Sequence, residues 1–99
     1  MAWLATGGLL RIRHDQHDLE FVSGRVVGEA GGAWIIRVQA SSGADEYADH
    51  LLRGAPMELT LVSRSGDMYA GEACVASISP SDGGPTLVVL SGVGPLKPQ

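Results

Sequence analysis

Six short stretches of this chain alternate apolar and polar side chains with a period of two, and only one stretch repeats with the period of a helix. That contrast points to a sheet protein with a single helix. The clearest stretch, AWIIRVQAS at residues 33–41, sets Trp34, Ile36, Val38 and Ala40 on one face and Ile35, Arg37 and Gln39 on the other. Such alternation is the mark of a half-buried strand. Residues 8–13 alternate in the same way, with Leu10 and Ile12 expected inside and Arg11 and Arg13 outside. Residues 19–28 carry β-branched and aromatic side chains around Gly24, where an interior glycine suggests a bulge or bend. Three further strands are expected at 56–63, 68–79 and 85–93, separated by RSGD and PSDGGP.

The helical stretch is 43–53, GADEYADHLLR, in which Ala44, Tyr47, Ala48 and Leu51 recur at i, i+3, i+4 and i+7. Ser42 is placed to cap its first turn, Asp45 and Glu46 sit near the positive end of the dipole, and Arg53 lies in the last turn. Gly54 and then Pro56 stop it. A helix this short is unstable alone, so its apolar stripe must pack on a sheet. The expected fold is mainly β: an antiparallel β-sandwich or partly open barrel of about six strands, with one short α-helix between strands three and four. Residues 1–99 form a single domain, residues 1–7 read as an N-terminal arm, and 95–99 as a C-terminal tail.

The pairing of strands 56–63 and 68–79 has two registers. A two-residue turn at Ser65 and Gly66 places Glu72 opposite Leu59, among core side chains. A three-residue loop, or a bulge at Gly71, keeps the small and apolar groups on one face, setting Met57, Leu59 and Leu61 against Val75, Ala73 and Gly71. The second is preferred, because burying an unpaired carboxylate is costly.

HDQHD, residues 14–18, is the one stretch with concentrated polar chemistry. His14 and His17, with Asp15 or Asp18, would supply metal ligands, but the stretch falls where the chain must reverse between two strands. A turn with solvated histidines and aspartates bonding their own backbone is the preferred reading. His50 falls on the helix, and Cys74 lies between Ala73 and Val75 as a small strand hydrophobe with no activating neighbour in the sequence. Glu58 and Glu72 are expected to face Cys74 and Thr60 on a solvated sheet face. No helix follows the glycines of GGPTLVVLSGVGP, so no phosphate cradle is expected there. These readings assign no catalytic, cofactor-binding or metal-ligating residue, and the chain is not expected to be an enzyme.

The formal charge is -4, and the seven basic residues are spread along the chain, which gives no footprint for nucleic acid or an anionic membrane. A single cysteine makes no internal disulfide and suits a reducing compartment. MAWLATGGLL is apolar but is preceded by no basic residue and is too short to span a bilayer. A cytoplasmic or virion location is the expectation.

Residues 66–96, GDMYAGEACVASISPSDGGPTLVVLSGVGPL, resemble the closing segment of phage tail tube proteins. Tyr69, Gly71, Ala73 and Val75 match an aromatic-x-G-x-A-x-V strand, and Gly92, Gly94, Pro95 and Leu96 match its G-x-G-P-L ending. The resemblance covers about a third of the chain. It implies a β-sandwich with a helix alongside, assembled as rings that stack into a tube. Members of that family usually carry a prominent hairpin loop for stacking, whereas the loops here are short, so a small accessory protein of a phage-derived cluster also fits. The expected function is therefore non-catalytic: a structural protein, partnered by copies of itself or by other assembly proteins. Contacts are expected through the arm and strand edges, with Trp3, Leu4 and Leu96 at the interface. The alternative is a stand-alone small β-barrel that binds a ligand or a partner protein.

Overall fold

The alternating stretches become strands that close on themselves. The computed structural model describes residues 3–29, 33–42 and 44–99, with side chains at 7–28, 33–42 and 45–99. In chain order the elements are β1 (Trp3–His14), β2 (His17–Asp18), β3 (Phe21–Glu29), β4 (Trp34–Ala40), α1 (Ala44–Arg53), β5 (Met57–Ser63), β6 (Met68–Ser79) and β7 (Thr86–Pro98). The sheet order is β2-β1-β3-β4-β7-β6-β5, and β5 returns to pair with β1. Every pairing is antiparallel. Of the two architectures expected, the protein is the barrel, closed by six strands. The helix follows the fourth strand rather than the third, because the two-residue β2 forms from the end of HDQHD.

Closure depends on β1 changing partners. Its first half pairs with β3, from Trp3↔Glu29 to Gly8↔Arg25, and its second half pairs with β5, from Leu9↔Ser63 to His14↔Leu59. Gly7, at the switch, has a φ of 132°, which a side chain would resist. The register with β5 shifts between Leu9 and Arg11. One extra residue there reverses the inside-outside alternation. Leu9 and Ile12 are therefore both buried, while Leu10, expected inside, is 65% exposed. The backbone of residues 3–7, read from the sequence as an arm, lies within this strand. Residues 95–98, read as a tail, belong to β7.

Trp34, Ile36, Val38 and Ala40 all point inward from β4 as expected, and the interior is filled by aliphatic side chains from β1, β3, β5, β6 and β7. Three glycines make the slot for the Trp34 indole. A Cβ at Gly92 would lie 2.2 Å from its ring, one at Gly71 2.8 Å, and one at Gly28 2.6 Å from the Trp34 Cβ. The indole N–H donates to the Gly94 carbonyl at 2.9 Å. GEA at 28–30 and GEA at 71–73 thus share a tryptophan neighbour through their glycines, although they are not halves of a repeat.

The β5–β6 hairpin has the three-residue loop, closed by the Ser63 N–H on the Asp67 carbonyl. Its register pairs Met57 with Ala73, Leu59 with Gly71 and Leu61 with Tyr69. The faces are those expected, but each partner lies two residues nearer the loop than the expected one.

Tyr47, buried, anchors α1, which lies against β6, while Leu51, expected on the packed stripe, is exposed. Gly54, at φ 64°, ends the helix with the Ala55 N–H on the His50 carbonyl and the Gly54 N–H on the Leu51 carbonyl. This is the Schellman arrangement. The Ser42 hydroxyl, expected to cap the first turn, donates instead to the Glu20 carboxylate at 2.7 Å. No helix among the described residues is long and apolar enough to cross a membrane.

Candidate functional site

HDQHD is a tight hairpin. His14 pairs with His17 across Asp15 and Gln16, whose φ values of 49° and 67° are both left-handed. Two such residues make the primed turn whose twist suits a hairpin. Asp18 lies 3.6 Å from Arg11 and 3.5 Å from Arg13, beside the turn.

The expectation that both histidines are solvated is corrected for His14, which is 6% exposed. The reason is that β1 runs on through His14, which takes the same inward face as Ile12 two residues earlier. Its Nδ1 donates to the Glu58 carbonyl at 3.1 Å, and because that acceptor has no proton, Nδ1 must carry one. Its Nε2 faces two carboxylates, Glu46 at 3.5 Å and Asp15 at 3.6 Å. His17 Nε2 meets the other Glu46 oxygen at 3.2 Å. His50, whose Nδ1 likewise donates to a carbonyl, that of Ala55, stacks edge-on to His14 with ring centres 5.2 Å apart.

All three histidines of the chain thus meet where α1 crosses the β1–β2 turn. Among the described residues, no three His, Cys, Asp or Glu side chains are arranged to hold a metal ion. Glu46 lies between His14 and His17, held to His17 through Oε1, while its Oε2 is buried beside His14 without a hydrogen-bond partner. Next to it, the Tyr47 hydroxyl is buried without a hydrogen-bond partner. Burial, with the Glu46 charge adding to it, pushes its pKa up to about 12.

Two further groupings are assembled from residues on different strands. Arg25 on β3 sits directly opposite Arg37 on β4, and both are exposed. Gly8 is opposite Arg25 on the other side, and Arg64 lies over Gly8, its Cδ 3.0 Å from where a Cβ would stand. The three arginines therefore form one row across β1, β3 and β4, around a groove of 480 Å³ that Ser23, Gln39 and Leu87 also line. Basic residues that look scattered are gathered here by strand pairing.

The second grouping is acidic. Glu58 and Glu72, expected to face Cys74 and Thr60, are direct partners across β5 and β6, because of the two-residue difference in register. Val93, Pro95 and Lys97 line the same 530 Å³ groove. No ion pair within 4.0 Å engages Arg25, Arg37, Arg64, Glu58 or Glu72 among the described residues. The Arg25–Arg37 pair was legible in principle, since a β3–β4 hairpin centred on position 31 must oppose 25 and 37. Arg64 was not, since it joins the row only through barrel closure.

Of the interface residues expected from the sequence, Leu96 is 3% exposed, packed in the core, and so is not available to a partner. Trp3 and Leu4 lie in β1, and their side chains fall outside the described residues. No family model matches the chain, and comparison with curated proteins and with solved structures yields no match.

Proposed function

We propose that this chain is a non-catalytic structural protein that works by self-association, as the resemblance to phage tail tube proteins implies. One observation carries the reading. Where β1 leaves β3 for β5, residues Phe21–Gly24 of β3 have no β1 partner, and a seam opens between the two strands. A groove of 450 Å³ follows the seam, with Leu10 and Val22, 65% and 61% exposed, on its rim. Unpaired strand edge beside exposed aliphatic side chains is the surface that soluble proteins ordinarily cover or charge. The bulge at Leu10, which lets Leu9 and Ile12 both face the core, leaves Leu10 itself outside.

The test is light scattering over a wide concentration range. Mass should rise with concentration, and Leu10→Glu with Val22→Glu should suppress the rise without altering the far-ultraviolet circular dichroism. A wild type that stays monomeric at the highest concentration refutes the reading. The stand-alone binding barrel would then be the better account, supported by the three-arginine groove as a seat for an anionic ligand.

A further inference from the structure

The row of arginines and the pair of glutamates stand on opposite sides of the barrel. In the closed order β1-β3-β4-β7-β6-β5, the β3–β4 pair and the β6–β5 pair are separated by β7 on one side and β1 on the other. Each contains a directly opposed like-charge pair, Arg25↔Arg37 and Glu58↔Glu72. Like charges placed opposite each other destabilise a sheet. Neither pair is relieved by an ion pair with a described residue of its own chain. The two defects have opposite signs, and each neutralises the other if two copies meet.

We infer that copies of this chain associate head to tail, the Arg25, Arg37 and Arg64 face of one seated on the Glu58 and Glu72 face of the next. This rests on the self-association proposed above and specifies its geometry. Three features of the faces agree. Arg64 lines both the seam groove and the arginine groove, so the exposed Leu10 and Val22 continue into the basic row as one surface. That is an apolar patch with a charged border, the usual anatomy of an interface. The opposing face likewise combines carboxylates with an exposed aliphatic, Val93. Guanidinium pairs are also the cations best matched to carboxylates, through two-pronged hydrogen bonds. Lys97 borders the acidic groove, and Arg13, held by Asp18, stands opposite Thr60 on the adjoining strand, so the register of docking must keep the arginine row on Glu58 and Glu72 and off these two.

A contact between two different faces does not end at a dimer. It leaves a free face at each end, so growth continues until a ring closes or a filament forms.

Charge reversal with rescue tests this by light scattering. Wild type should grow beyond a dimer at low salt and shrink as salt rises, because exposed charges are screened within about 10 Å at 0.1 M. Arg25→Glu with Arg37→Glu, and separately Glu58→Lys with Glu72→Lys, should each weaken association by about 100-fold or more, since like charges facing each other across an interface are strongly unfavourable. An equal mixture of the two variants should assemble again, each basic face meeting an acidic one. Should a reversed protein fail to fold by circular dichroism, the neutral versions, Arg25→Gln with Arg37→Gln and Glu58→Gln with Glu72→Gln, test the same contact with a smaller loss. Variants that assemble like wild type, a mixture that stays dissociated, or a wild type that stops at a dimer would each overturn the head-to-tail contact while leaving self-association standing. A wild type that is monomeric throughout overturns self-association itself.

Discussion

Replacing Gly92 by Ala probes the contact on which the barrel interior depends most directly. The added Cβ would stand 2.2 Å from Trp34 Cε2 and 2.3 Å from Nε1, distances no packed structure tolerates. The obstacle is a rigid bicyclic ring, already bounded by Gly71 and Leu96, and it cannot swing aside as a flexible chain end would. Either the ring moves and loses its bond to the Gly94 carbonyl, or β7 bends away from β6. Overpacking costs roughly 1–3 kcal/mol and a lost buried hydrogen bond about 1 kcal/mol, against a gain of about 0.5–1 kcal/mol for Ala over Gly in a strand. The net loss is about 1–3 kcal/mol, which lowers the melting temperature of a domain this size by roughly 4–24 °C. Thermal and urea unfolding followed by circular dichroism measure it.

Gly24→Ala is the control. Its nearest neighbours are 3.4 Å away, ordinary contact, so the change should be neutral or mildly stabilising. A second arm uses Trp34→Phe, which removes the atoms that Gly92→Ala strikes. The cost of Gly92→Ala should shrink in that background, since groups in contact do not act additively. If Gly92→Ala is neutral, or if Gly24→Ala costs as much, the slot does not have the role assigned to it.

Other outcomes follow from the same geometry. Gln16→Gly should stabilise the protein by about 1 kcal/mol, since a left-handed conformation costs a side-chain-bearing residue roughly 1–2 kcal/mol, and unfolding in urea reads it directly. His14→Ala should lose about 2–3 kcal/mol, leaving a cavity and the Glu58 carbonyl without its donor, whereas His17→Ala at the exposed turn should stay within about 0.5 kcal/mol; equal effects would contradict the burial of His14. Tyr47 titrates near 10 when unfolded and at about 12 when folded, so its contribution is complete below pH 10 and is lost as pH rises toward 12. That loss amounts to about 2–3 kcal/mol, and it should vanish in Tyr47→Phe, checked by alkaline unfolding alongside phenolate absorbance.

Much of the fold could be read from the chain because its signals are local. The alternation of 33–41 marks β4 and its inward face, since successive strand side chains must point to opposite sides. Gly54 marks the helix end, since only glycine accepts the left-handed position of the cap at no cost. The face shared by Met57, Leu59 and Leu61 was likewise legible, because a carboxylate opposite Leu59 would be buried unpaired.

What the tertiary structure decided were the relations between distant segments. β1 contains no mark that it pairs with β3 as far as Gly8 and with β5 from Leu9. The bulge that follows places Leu10 outside, against the simple alternation, while His14, on the same inward face as Ile12, makes HDQHD one side of a three-histidine junction with α1 rather than a solvated tip. Closure alone brings Arg64 beside Arg25, and a two-residue difference in register alone brings Glu58 opposite Glu72. Period-two patterning determines which face a side chain takes but is unchanged by a shift of two residues, so the sequence by itself settled the faces, and only the closed barrel settled which charges would meet.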